Sequence, residues 1–267
     1  MIIELRAKNC FAFEEEISFS MKADMRNKKF ASNVHRENNF NVLKTAGVYG
    51  PNNVGKTCLV KCIRAIKNVL LDKESGLLRN IFSDNEVCQL GVTFLSQGRK
   101  FSYDFWYNAK TGEYVYESFA EILKDQYGNE KEVLWLKRDT IKEEYYCIDE
   151  DVQKMMPIIS KNNLFCYLVD TTKFESLKEM KNILVSFAEK IDIINMNNIP
   201  MKHTIELLKN KNNLQEKIVE FIKNADLYMD DFKYVDADKI LAGAGGEVGI
   251  PEEKVLVSGT FEKIGIE

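Results

Sequence analysis

The first twenty residues alternate in polarity. Ile3, Leu5 and Ala7 fall on one side of an extended chain, and Glu4, Arg6 and Lys8 on the other. This predicts a strand with one wet face over residues 2–13. Ile17, Phe19 and Met21 alternate again after Glu14-Glu15-Glu16, so two antiparallel strands joined near there are expected. Residues 22–41 are polar and read as a loop or a short irregular helix. An apolar run from Val42 to Tyr49 then leads into Gly50 and reads as a strand. After it the period changes. Leu59, Cys62, Ile63, Ile66, Val69 and Leu70 recur at intervals of three and four, the pattern of an amphipathic helix that ends near Leu71.

Residues 87–138 predict a β-meander. Phe101, Tyr103, Phe105 and Tyr107 alternate strictly between turn signals at Gln97-Gly98 and Lys110-Thr111-Gly112, and the pattern continues around Tyr127-Gly128-Asn129. From about residue 160 the period is helical again: Leu177, Met180, Leu184, Phe187 and Ile191 form one stripe, and Leu214, Ile218, Phe221 or Ile222, and Ala225 another. Gly243, Gly245, Gly246 and Gly249 read as a flexible loop, and residues 254–267 return to β-like alternation. The expected organisation is a nucleotide-binding lobe with its meander over 1–150, a helical segment over 151–235, and a glycine-rich loop with a return strand over 236–267.

Composition narrows the class. The chain has 267 residues, 45% of them hydrophobic and 29% charged, enough for a buried core with a solvated surface. A net charge of −4 argues against wholesale coating of nucleic acid. The six cysteines lack paired spacing, and with two histidines they do not build a zinc set. Reduced, mostly buried thiols in a cytoplasmic protein are expected. The N-terminus has no apolar h-region, and no apolar run approaches the roughly 18 residues that would cross a membrane.

One motif carries chemistry. Gly50-Pro51-Asn52-Asn53-Val54-Gly55-Lys56-Thr57 matches Gly-x-x-x-x-Gly-Lys-Thr, the Walker A pattern, with a strand expected before it and a helix after it. Glycines let the backbone turn sharply toward phosphate oxygens. Successive N–H groups and the helix dipole then make an anion nest. Lys56 would reach the β- and γ-phosphates, and the Thr57 hydroxyl would ligate Mg²⁺. The expected cofactors are therefore ATP and Mg²⁺. The alternative is a chance match in a turn before a helix.

Hydrolysis needs a second acidic site. Tyr145-Tyr146-Cys147-Ile148-Asp149-Glu150 fits the hydrophobic-then-acid string, but Asp149 to Asp151 fit better as the acidic N-cap of a helix beginning near Val152. Val69-Leu70-Leu71-Asp72 also fits, on the helix after the loop and pointing away from it. Asp125-Gln126-Tyr127-Gly128 matches a GTPase motif but sits where a hairpin turn is expected, and the guanine-reading Asn-Lys-x-Asp is absent. No catalytic residue is assigned.

The opening strand with Lys8-Asn9-Cys10-Phe11, a second strand and Gly-x-Asn-Asn-x-Gly-Lys-Thr together resemble the ABC-type ATPases of the SMC, RecF and OLD branch, above all their small bacterial relatives. The resemblance implies an α/β fold, a P-loop NTPase lobe of ABC type carrying an antiparallel β-meander and a helical segment. It adds Lys8 beside the nucleotide and Arg6 as a secondary contact, although a solvated strand face suits Arg6 better. It implies a homodimer through the nucleotide face, DNA as a possible partner, and a possible nuclease or toxin effector in phage defence. Ser258-Gly259-Thr260 is a fragment of the family signature, but no Walker B strand follows. The chain is therefore expected to be the N-terminal portion of such an ATPase, truncated before Walker B. It would be an ATPase only when completed by a C-terminal half. A non-hydrolysing regulatory module and a GTPase-like switch are the alternatives.

Overall fold

The computed structural model describes residues 1–194 apart from 27, 28, 39, 126 and 127, together with 216, 217 and 220. The chain divides into two compact units, Met1–Ile193 and Ile194–Glu267. In the second unit Glu216, Lys217 and Glu220 are helical and exposed. The stripe from Leu214 to Ala225, the glycine cluster, Ser258-Gly259-Thr260 and the return strand at 254–267 lie outside the described residues.

The first unit is built on a seven-stranded sheet, and every pairing in it is antiparallel. In sequence its strands are β1 (Ile2–Lys8), β2 (Ile17–Ser20), β5 (Val87–Ser96), β6 (Arg99–Asn108), β7 (Glu113–Lys124), β8 (Glu130–Asp139) and β9 (Glu144–Cys147). They lie in the order β2-β1-β5-β6-β7-β8-β9. A separate hairpin joins β3 (Val34–Glu37) to β4 (Phe40–Leu43). Helix α1 (Lys56–Leu70) follows; α2 (Glu150–Met155), α3 (Phe165–Leu168) and α4 (Glu175–Glu189) come after the meander.

The alternation read in the sequence is what buries the sheet. Leu5, Ala7, Leu90, Val92, Phe101, Tyr103 and Phe105 join Cys62, Ala65, Ile66 and Val69 of α1 and Leu177, Met180 and Leu184 of α4 in one core. Phe94 stacks on Phe187 of α4 at 4.0 Å between centroids, and Phe101 on Phe119 at 5.3 Å. Each such ring contributes about 1.5–3 kcal/mol by leaving water. Arg99 latches α4 to the sheet, holding Glu121 of β7 and Glu179 of α4 in one fork.

One detail breaks the predicted pattern. The β1–β5 register shifts between Ile2 and Glu4. Ile3 therefore leaves the company of Leu5 and Ala7 and packs with Phe40, Val42 and Leu95 in a second cluster. A bulge adds one residue and so flips the alternation on one side of it.

The α/β expectation is corrected. No parallel pair exists among the described residues, and the described secondary structure is mostly antiparallel sheet with few helices. The strand expected to run straight into Gly50 is the reason. Only Phe40–Leu43 is extended, and it pairs with β3 outside the main sheet. Residues 44–49 are exposed and have no regular structure. A P-loop lobe of the expected kind needs its phosphate loop to spring from a strand held inside a parallel sheet. The 22–41 stretch, expected as loop or irregular helix, supplies β3 and a short 3-10 turn at Ala31–Asn33.

Candidate functional site

The loop between β4 and α1 has the backbone that its glycines allow. Asn53 and Gly55 adopt left-handed conformations, with φ of 66° and 91°, and Gly50 has φ of 155°. Gly55 is required twice over. Its φ suits glycine, and a Cβ there would lie 2.9 Å from Phe13 Cε1. Phe13 and Ala12, from the turn between β1 and β2, thus press directly on the loop.

That turn is itself pinned. Asn9 and Phe11 both take positive φ, at 52°. Asn9 is buried and donates through Nδ2 to the carbonyls of Asn85 and Val87. Phe11 N–H donates to the Leu78 carbonyl at 2.9 Å, and Asn80 Nδ2 donates to the Phe11 carbonyl at 3.0 Å. The segment before β5 therefore holds the β1–β2 turn, and the turn holds the loop.

Gly55 caps α1 without any side-chain bond, and the first turn of the helix has no acidic residue. The helical ladder begins with Leu59 N–H on the Gly55 carbonyl. Among the described residues, the N–H groups of Gly55, Lys56, Thr57 and Cys58 donate to no protein acceptor. They are the orphan donors of a helix start, together with its positive dipole end. Lys56 has no carboxylate partner among the described residues. Its ammonium instead donates to the carbonyls of Gly50, at 2.7 Å, and Pro51. Thr57 is exposed, with its hydroxyl unbonded within the described protein. Lys61, one turn on, sits 5.7 Å from the Phe11 ring centroid. Free amides, a dipole end and unpaired cations suit an oxyanion. This donor set fits a triphosphate held by residues 50–57, with Thr57 as a hydroxyl ligand for Mg²⁺.

Cys10, Cys62 and Cys88 lie together in the core that α1 packs on. All six cysteines are free and five are buried. Burial pushes the Cys62 thiol up to about 12, and a hydrogen bond with Cys88 raises that of Cys10. Protonated buried thiols are poor nucleophiles and poor metal ligands. No group of metal-ligating side chains occurs among the described residues.

The other candidates lie on other elements or at the other end of α1. Asp149 caps α2, accepting from the N–H groups of Asp151 and Val152, next to the edge strand β9 at the far side of the sheet from β1. The capping role proposed for it holds. Asp72 lies past the C-terminal end of α1 and accepts from Asn163 Nδ2. Asp125 belongs to the β7–β8 turn, where Gly128 N–H donates to its carbonyl. Lys8 lies on the sheet face away from α1, lining a cavity with Gln89 and Trp106. A scan against protein-family models finds no match to this chain, and a search of curated proteins finds no relative. The loop's geometry and chemistry are therefore what bear on its function. Asn9 belongs to the Lys8-Asn9-Cys10-Phe11 turn that the sequence marks; nothing in the local pattern marks Phe13 or Asn80, whose roles come from contacts across the fold.

Proposed function

We propose that this chain binds MgATP through residues 50–57, with the amides of Gly55 to Cys58 and the Lys56 ammonium on the phosphates and the Thr57 hydroxyl on the metal. The observation that carries this reading is the set of unpaired donors around an uncapped helix start that has no acidic residue in its first turn. It rests further on Lys56, which among the described residues is bonded only to its own loop's carbonyls and needs only to rotate to meet a phosphate.

ATP is the chemical signal and a second copy of the chain the partner, as in the ABC-type ATPases that the N-terminal third resembles. Val48, Tyr49 and Val54 stand 46%, 92% and 55% exposed around the loop, apolar surface that suits burial against a partner. A DNA-related or phage-defence role, with a nuclease or toxin effector, follows from that resemblance alone. A cytoplasmic setting agrees with six unpaired thiols. No described helix is long and apolar enough to cross a membrane.

A second reading has its own observation. Among the described residues, no carboxylate bonds to Lys56 or Thr57. A loop that holds triphosphate without an acid to orient water is a binding module that does not turn ATP over. Phosphate release from MgATP by the isolated chain tests this. Tight binding without release fits the module, and steady release inhibited by excess ADP fits the ATPase. Competition of GTP against bound ATP at equal affinity would count against an adenine-selective site.

A further inference from the structure

The face of the sheet away from α1 holds a second candidate site. The β3–β4 hairpin packs on Ile3 and Leu95. Further along the same strands, a cavity of about 250 Å³ is lined by Arg6, Lys8, Glu16, Gln89, Gly91, Asp104, Trp106 and Tyr116. The register explains it. Arg6, Gly91 and Asp104 lie in one cross-strand row, and Lys8, Gln89 and Trp106 in the next, with Tyr116 paired to Trp106.

Gly91 is the floor. A Cβ there would lie 1.9 Å from Asp104 Oδ1 and 3.0 Å from Arg6 Nη2. Without one, Arg6 reaches across β5 and pairs with Asp104 at 2.9 Å. Thr93 and Ser102 also accept from the guanidinium, at 2.9 Å and 3.0 Å. This network engages Nε, Nη1 and Nη2 of Arg6 and fixes one wall. The opposite wall is aromatic: Trp106 and Tyr116 stack with centroids 4.5 Å apart and planes 26° from parallel. Between the walls, Lys8, Glu16 and Gln89 make no side-chain hydrogen bond or ion pair among the described residues. Lys8 and Glu16 lie one step beyond the Ala7–Ile17 pair.

We propose that this cavity binds one nucleotide unit, separately from the loop at residues 50–57. The base extends the Trp106–Tyr116 stack, and sequence-tolerant stacking of this kind is worth about 1–3 kcal/mol per base. The Gln89 carboxamide, donor and acceptor together, meets the base edge. Glu16 accepts from ribose hydroxyls, the use a carboxylate has in dinucleotide sites. Lys8 meets the phosphate. Drug-sized sites begin near about 300 Å³, so this cavity takes a single unit rather than a longer ligand. A base of this kind can come from a free nucleotide or from a single strand of nucleic acid.

Equilibrium dialysis of the full chain with adenosine and AMP tests the proposal. Adenosine should bind saturably to the wild type and to Lys56→Ala. Binding should weaken at least tenfold in Trp106→Ala and in Gln89→Ala, and persist in Trp106→Phe, which keeps a ring. AMP should bind more tightly than adenosine, and Lys8→Ala should erase that difference. A hexanucleotide binding at least tenfold more tightly than AMP, and lost in the same variants, assigns the unit to a single strand; equal affinity assigns it to free nucleotide. Adenosine binding lost in Lys56→Ala but kept in Trp106→Ala and Gln89→Ala overturns the proposal. So does saturable binding of glucose with no binding of any nucleoside, or no binding of either.

Discussion

Gly55 joins two demands in one residue. Its φ of 91° favours glycine, and the Phe13 ring occupies the space where a Cβ would stand. A Gly55→Ala variant should therefore lose about 1–3 kcal/mol of stability from backbone strain, with more from the displaced ring. Urea denaturation read by far-UV circular dichroism would measure it, and an unchanged midpoint would show that the loop adapts freely. Gly91 has ordinary backbone angles, so its need for glycine is purely spatial, set by the crossing of Arg6 over β5. The motif made Gly55 legible in the sequence, because its spacing announces a turn. Nothing comparable announced Gly91 or Phe13. Their roles arise from residues brought together across the sheet, a relation that local pattern does not encode.

Helix α1 is fixed at both ends by different means. Its start is held by the β1–β2 turn through Phe13. Its end is held by the segment before α4, where the Tyr167 hydroxyl donates to the Leu70 carbonyl at 2.6 Å and Asn163 reaches Asp72. That segment is anchored by a fully buried ion pair, Arg138 with Glu117 at 3.1 Å. Arg138 also donates to the carbonyls of Ser160 and Asn163, while Glu117 accepts from Tyr103 and from the Phe165 N–H. Removing one partner strands the other charge in the core. Arg138→Met should cost about 3–5 kcal/mol, whereas the double variant Arg138→Met with Glu117→Leu should recover part of that loss. Thermal unfolding of both variants checks this. If the double variant is no more stable than the single, the bonds to the 160–165 segment outweigh the stranded charge. The 3.6-residue and two-residue periods gave α1, α4 and the meander because each element buries one face. They could not give the ion pair, since a buried arginine on a strand looks like any polar position.

At the scale of the molecule, the sequence supported an α/β lobe and the structure shows antiparallel pairing throughout the described sheet. Residues 42–49 account for the difference, because their apolar character fits a buried strand while only Phe40–Leu43 is extended. Val48 and Tyr49 are exposed instead, and the chain between β4 and Gly50 belongs to neither sheet. Apolar composition is an equal mark of a core strand and of a surface awaiting a partner. If the second explanation is right, MgATP or a non-hydrolysable analogue should double the mass measured by light scattering, and Tyr49→Ser should prevent the change. A mass that stays monomeric at saturating nucleotide would remove the dimer from the account.

Residues 50–57 are proposed to hold a metal-bound triphosphate. Isothermal titration of MgATP into the wild-type chain and the Lys56→Ala variant tests it most directly, with circular dichroism confirming that both are folded. Saturable binding to the wild type, lost in Lys56→Ala and weakened in Thr57→Ala only when Mg²⁺ is present, is the predicted result. Equal affinity of the wild type and Lys56→Ala for MgATP would contradict it.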